Sequence, residues 1–114
     1  MLASKYGLKG TKAFQRVETE GKMVQSDSFG VAFVDRKDNE ISKFGFIVSN
    51  KISGDSTQRN RVKRALKAAV RYGLADLKDG FDVVFLAKQG ILRKSTDEIM
   101  NEVRCALKES RLYK

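Results

Sequence analysis

Residues 59–71 read Arg-Asn-Arg-Val-Lys-Arg-Ala-Leu-Lys-Ala-Ala-Val-Arg. Wound at about 100° per residue from Arg59, the side chains of Val62, Ala65, Leu66, Ala69 and Val70 fall on one arc, from about 240° through zero to about 20°. Arg59, Asn60, Arg61, Lys63, Arg64, Lys67 and Arg71 fill the remainder, from about 0° to about 200°. This pattern predicts an amphipathic helix that begins at Asp55 or Ser56 and runs to about Tyr72, or as far as Leu77. Its apolar stripe is made of small residues and has to dock on another layer, so the neighbouring sequence decides the fold class.

Downstream, Lys78-Asp79-Gly80 forms a turn signal, and Phe81–Ala87 (FDVVFLA) is a nearly continuous apolar run. Such a run marks an interior strand with both faces covered. Ser95 followed by Glu98 reads as a capping box opening a last helix to about Ser110. Its inward stripe is Ile99, Met100, Val103, Ala106 and Leu107. Upstream, Ser42–Ser49 (SKFGFIVS) reads as a strand with Phe44, Phe46 and Val48 in step. Asp38-Asn39-Glu40 is a turn. Lys22–Asp35 is a strand region broken near Ser26-Asp27-Ser28, with Phe29, Val31 and Phe33 alternating onto one face. Thr11–Glu20 reads as a short helix, with Thr11 as its cap and Gly21 as a left-handed stop. The order is α-β-β-α-β-α, with one further strand if the break divides the 22–35 region. That is an α+β, two-layer sandwich with a mostly antiparallel sheet.

The chain has 114 residues, no proline, no histidine and one cysteine, with 23 Lys+Arg against 14 Asp+Glu, a formal charge of +9. The length fits one domain, residues 1–114. Cys105 has no disulfide partner within the chain, which suits a reducing compartment and a cytoplasmic protein. The apolar runs are too short to span a bilayer, and no signal segment is visible at 1–10. Without histidine there is no Ser/His or Cys/His nucleophile pair and no His-containing metal site. No HExxH, paired-Asp or P-loop motif is present. Catalytic and metal-ligating residues are therefore expected to be none. Asp82, Asp97 and Glu98 read as strand-face and cap residues, and Gly7–Gly10 is too short a glycine signal to carry chemistry. Phe14, Phe29, Phe44 and Phe46 are assigned to the core, although any one could instead be a platform for a stacked base.

Lys51–Arg71 holds seven basic residues and the single acid Asp55, so six of the net nine charges lie in 21 positions. Like charges at Arg59/Lys63, Lys63/Lys67 and Lys67/Arg71 each cost a few tenths of a kcal/mol in an isolated helix. A face built only for solubility would intersperse Glu. A membrane-surface role would need the apolar arc that the core requires. The one-signed face therefore points to a polyanion, and nucleic acid is the expected partner.

The run Arg59-Asn60-Arg61-Val62-Lys63-Arg64 resembles the signature of the protein subunit of bacterial ribonuclease P. Phe44–Lys51 is similar to the strand ending in Ser-Lys-Lys that precedes the family's signature helix. Phe14-Gln15-Arg16-Val17 with Gly21, then Phe29–Val34, is similar to the first helix and first strands. Asp82–Lys88 matches the interior strand. The resemblance covers about residues 8–108. It implies an α-β-β-β-α-β-α order, a four-stranded sheet and a left-handed βαβ crossover, against the right hand that roughly 98% of parallel crossovers adopt.

The resemblance also implies a division of labour. An RNA subunit with bound Mg²⁺ hydrolyses the phosphodiester that releases the 5′ leader of precursor tRNA. The protein is the accessory subunit, meeting the catalytic RNA on the signature helix and the single-stranded leader in a cleft between the first helix and the sheet. Carried over by position, Lys51, Arg59, Asn60, Arg61, Lys63, Arg64, Lys67 and Arg71 contact RNA, and Lys12, Phe14 and Arg16 belong to the leader cleft. Many members carry aromatic residues where this chain has Glu18 and Ala32, so fewer rings are available for stacking, and Ser49-Asn50-Lys51 lacks one of the family's positive charges. A non-catalytic RNA-binding protein of ribosome type and a stand-alone nuclease with carboxylate-bound metal are the competing readings. The nuclease reading finds no carboxylate pair at motif spacing. On the leading reading Arg61 and Arg64 are equivalent phosphate partners. Removing both should lower the salt slope of RNA binding by about 1.4 at about 0.7 per phosphate.

Overall fold

The computed structural model of the protein describes residues 4–114. Its elements are α1 (Thr11–Glu20), β1 (Lys22–Gln25), β2 (Phe29–Asp35), β3 (Lys43–Ile47), α2 (Ser56–Gly73), β4 (Phe81–Ala87) and α3 (Thr96–Glu109). The expected α-β-β-β-α-β-α order holds, and the break at 26–28 does divide the first strand region. Three short 3₁₀ turns at Ser4–Tyr6, Leu74–Asp76 and Gln89–Arg93 were not legible. Each is only one to two turns long, too short to produce a periodic signal.

The sheet order is β1-β2-β4-β3. The β1–β2 and β2–β4 pairs are antiparallel, while β3 and β4 run parallel, joined by the crossover through α2. The sheet is thus mixed, with two antiparallel pairings of three. β4 has a neighbour on each side, which accounts for its unbroken apolar run. Val83 and Phe85 face the cluster formed with α2 and α3, where Val62, Leu66, Val70, Ile99, Val103 and Leu107 are buried. Val84 faces a second cluster with Ala32, Leu8 and Val17, and Leu86 packs at its margin. Helices α2 and α3 form the main helical layer, and α1 adds a partial layer on the opposite face. In the larger cluster the rings of Phe46 and Phe85 stack with centroids 5.4 Å apart. Phe29 and Phe44 are buried there too. Of the four rings assigned to the core, Phe29, Phe44 and Phe46 pack in this cluster, whereas Phe14 is half-buried at the margin of the smaller one.

Helix starts follow local chemistry, with one correction. The Asp55 carboxylate accepts from Thr57 N–H at 2.9 Å and caps α2. Ser95 and Glu98 form the capping box of α3, at 3.2 and 3.1 Å. Thr11, expected to cap α1, is instead its first helical residue. Gly10 occupies the cap position at φ 93°, with no side-chain cap. Gly21 is also not left-handed: its φ is −75° and ψ 158°. Glycine is needed there for room, because a Cβ would lie 2.3 Å from the Val17 carbonyl oxygen and 2.8 Å from that of Phe33.

Two polar anchors hold loops on the sheet. Asp82, read as a strand-face residue, is buried at the start of β4 and paired with the Arg36 guanidinium. Arg36 also donates to Asp38 at 3.0 Å and to the Ile41 carbonyl at 2.7 Å, so it ties the 38–40 turn to the sheet. The guanidinium holds the Asp38 carboxyl below its ordinary range. Across the molecule, Glu102 of α3 accepts from the hydroxyls of Ser26 at 2.8 Å and Ser28 at 3.0 Å, fixing the β1–β2 connection.

Candidate nucleic-acid interface

Docking of Val62, Ala65, Leu66, Ala69 and Val70 on the sheet fixes the roll of α2 and so the direction of every other side chain on it. Asn60, Arg64 and Arg71 are exposed, and Lys63 and Lys67 are half-buried. Asn60, Lys63, Arg64 and Lys67 share one outward hollow with Ala68. Among the described residues, salt bridges join Arg16 to Glu20, Arg36 to Asp38 and Asp82, and Lys94 to Glu102. None involves a cation of α2. The face therefore keeps its full charge, as a surface that neutralises phosphates requires.

The two arginines that open the signature differ from the rest. Arg59 turns back along the helix and donates from Nη1 to the Ser53 carbonyl at 2.8 Å. Arg61 reaches the β4–α3 connection, donating to the carbonyls of Leu92 at 3.2 Å and Lys94 at 3.4 Å. Both are half-buried, and each spends donors inside the protein. The helical projection could not separate them from Arg64, because it places side chains by angle and says nothing of the carbonyls within reach. Lys51 stands exposed just before the helix, its own carbonyl held by Gln89 Nε2 at 3.0 Å.

A groove of about 250 Å³ runs along the free edge of β3. Leu8, Phe14, Gly45, Phe46, Lys63 and Lys67 line it. Leu8 N–H donates to the Phe44 carbonyl at 2.9 Å, and Gly7 bridges Phe44, so the segment before α1 covers part of the strand edge. The Gly45 position explains the seat of Phe14. A Cβ there would lie 2.5 Å from Phe14 Cε1, so the ring rests on the bare backbone of β3. The structure thus brings Phe14 together with Lys63 and Lys67. It does not bring Lys12 or Arg16 to this groove. Both are exposed on α1, and Arg16 is paired with Glu20 at 3.1 Å. Glu18 is exposed on the same helix, and Ala32 is buried beneath it. Leu8 and Gly45 went unrecognised as groove residues. A glycine inside an alternating strand signals close approach of another group, and Gly45 was that signal.

Among the described residues no three His, Cys, Asp or Glu side chains gather as metal ligands. Cationic side chains beside an aromatic ring in an open groove can grip phosphates and stack a base with little sequence preference.

The ribonuclease P family model matches residues 2–111. The protein component of ribonuclease P from Caldanaerobacter subterraneus subsp. tengcongensis is 36% identical over 106 residues, covering 93% of this chain and 90% of that protein. The Clostridium kluyveri component is 34% identical over 111 residues, covering 96% and 97%. The Staphylococcus aureus RNase P protein superposes with a TM-score of 0.88 at 26% identity, covering 96% of this chain and 98% of that one. No helix among the described residues is long and apolar enough to cross a membrane. A basic helix face without acidic partners, on a sheet of this topology, and a family match across almost the whole length lead to one conclusion: the chain belongs to the ribonuclease P protein family, the protein component of a ribonucleoprotein endoribonuclease that acts in tRNA processing with a ribonuclease P RNA as its partner.

Proposed function

We propose that the outward face of α2 docks on the catalytic RNA while the β3-edge groove receives the 5′ leader of precursor tRNA. Asn60, Lys63, Arg64, Lys67 and Arg71, with Lys51 before the helix, form the RNA-facing set. Arg59 and Arg61 support that set from behind. Phe14 offers one stacking face to the leader, and Lys63 and Lys67, which border both hollows, hold phosphates where the two RNAs meet. Hydrolysis belongs to the RNA and its Mg²⁺. The protein neutralises and positions, working in the cytoplasm. The observation that carries this reading is the single-signed face of α2, whose cations form no salt bridge among the described residues.

Reconstitution with a bacterial ribonuclease P RNA tests it. Cleavage of precursor tRNA at low Mg²⁺ should rise sharply on adding the protein; no rise would favour a purely structural RNA-binding role. The leader assignment has its own readout. The holoenzyme should prefer precursor tRNA over mature tRNA, and Phe14→Ala should erode that preference. A preference unchanged in Phe14→Ala would remove the leader from this groove.

A further inference from the structure

A third concave surface lies at the far end of α2, away from the β3 edge. It encloses about 410 Å³ between the last turns of α2, the outer side of α3 and the carboxyl-terminal segment. Tyr72, Asp76, Met100, Arg104, Lys108 and Tyr113 line it. Arg104 and Lys108 stand one turn apart on α3, and neither forms a salt bridge among the described residues. Asp76 is the only carboxylate in the lining, so the hollow is net positive.

The aromatic components are unequal, and the inequality is informative. Tyr113 is a fixed floor. Its backbone bridges Leu77, the next residue's N–H donates to the Asp76 carbonyl at 2.8 Å, and its ring lies over Gly73, where a Cβ would stand 3.2 Å from Cε1 and Oη. Tyr72 is the opposite: 79% exposed and aimed into solvent at the rim. One exposed aromatic residue on a surface is ordinary. An exposed ring and a held ring lining one hollow, with two cations that form no salt bridge among the described residues, form the combination that stacks a base and binds its phosphate.

We propose that this hollow is a binding site for one unpaired nucleotide of RNA, its base stacked on Tyr72 and its phosphate on Arg104 and Lys108. The inference rests on the RNA-binding reading of α2, and extends it. Arg71 stands immediately before Tyr72, about 100° round the helix, so a strand leaving the basic face of α2 at its last turn passes the rim of this hollow. The nucleotide belongs either to the catalytic RNA or to the substrate, and the chemistry of the hollow is the same for both.

The chain contains no tryptophan, so Tyr72→Trp installs a single indole, excitable apart from the remaining tyrosines, at an exposed position that folding does not need. Its emission should be quenched on titration with RNA in one of three arms: ribonuclease P RNA, precursor tRNA, or a single-stranded leader oligonucleotide. The arm that quenches identifies the source of the nucleotide. Tyr72→Ala should weaken binding of that RNA by about fivefold to a hundredfold, the range of one base–aromatic stack. Arg104→Ala with Lys108→Ala should weaken it further at low salt and flatten the salt dependence. Absence of quenching in all three arms, or an affinity within twofold in Tyr72→Ala, would overturn the proposal. If the same RNAs still lose affinity in Lys63→Ala/Lys67→Ala, the reading of α2 survives and only this site falls. If none of the RNAs binds at all, both fall.

Discussion

Arg61→Ala and Arg64→Ala should part company, although the two residues are three apart on the same helix. Arg61 Nη1 and Nη2 donate to the carbonyls of Lys94 and Leu92 at 3.4 and 3.2 Å, and its Nε to Gln58 at 3.4 Å. All three are longer than the usual N–H···O distance, so each carbonyl bond is placed at the low end, about 0.5–1 kcal/mol. Losing both costs about 1–2 kcal/mol, which lowers Tm by roughly 4–10 °C in a domain of this size. Arg64 is exposed and its side chain makes no hydrogen bond among the described residues, so its removal should leave Tm within about a degree or two, the range of ordinary surface changes. The RNA readout should invert the order. Arg64→Ala removes one phosphate partner and should flatten log K against log salt by about 0.7, whereas Arg61→Ala should change the slope little. The double variant should therefore lose about 0.7 rather than the 1.4 expected from sequence. Thermal melts by circular dichroism and binding titrations at four or five salt concentrations give both quantities. Equal slopes lost in the two single variants, with an unchanged melt for Arg61→Ala, would refute the division.

Three further outcomes follow from the packing. Partial burial pushes the Glu102 carboxyl up, but the Ser26 and Ser28 hydroxyls and the Lys94 ammonium outweigh it and leave its pKa below the ordinary value. A carboxylate depressed on folding stabilises the protein above its unfolded pKa and loses that contribution as pH falls through the folded one. Melts of wild type and Glu102→Gln should therefore differ at pH 7 and converge toward pH 3; a constant gap would mean the carboxylate's charge is not involved. Gly21→Ala should cost about 3 kcal/mol, the upper end for overpacking, because the new methyl meets two backbone carbonyls that cannot swing aside; a denaturant midpoint within error of wild type would contradict the close approach. Asp82→Ala should cost about 1–3 kcal/mol, because the Arg36 guanidinium loses its buried partner and keeps only the more exposed Asp38, and Arg36→Met/Asp82→Leu should recover much of that loss. A double variant worse than the single one would show the ion pair to be net stabilising.

The fold was legible to the extent that it is written in local periodicity. Each of the seven main elements left a signal: the 3.6-residue stripe of α2, the unbroken run of β4, the capping box of α3. What failed were readings that depend on a neighbour distant in sequence. Gly21 was assigned a left-handed φ because glycines after helices often adopt one, but its true constraint is the Phe33 carbonyl across the β1–β2 pair. Asp82 was read as a strand-face residue, which it is, but its burial was not legible because its partner, Arg36, lies 46 positions away. The hollow lined by Tyr72, Arg104, Lys108 and Tyr113 draws on three separate segments and has no linear signature at all.

The sequence by itself determined an α+β architecture, the absence of histidine-based chemistry, and two-thirds of the net charge on and just before one helix, because those properties are sums and periods along a line. Tertiary structure decided how that charge is used. Docking of α2 on the sheet turned Arg61 toward the carbonyls of Leu92 and Lys94 and left Arg64 to solvent. It also set Lys63 and Lys67 beside Phe14, whose ring needs the bare backbone of Gly45. A helical wheel fixes the angle of a side chain. Whether that side chain binds a phosphate or its own protein depends on which acceptors the rest of the fold brings within about 3 Å, and only the folded chain supplies them.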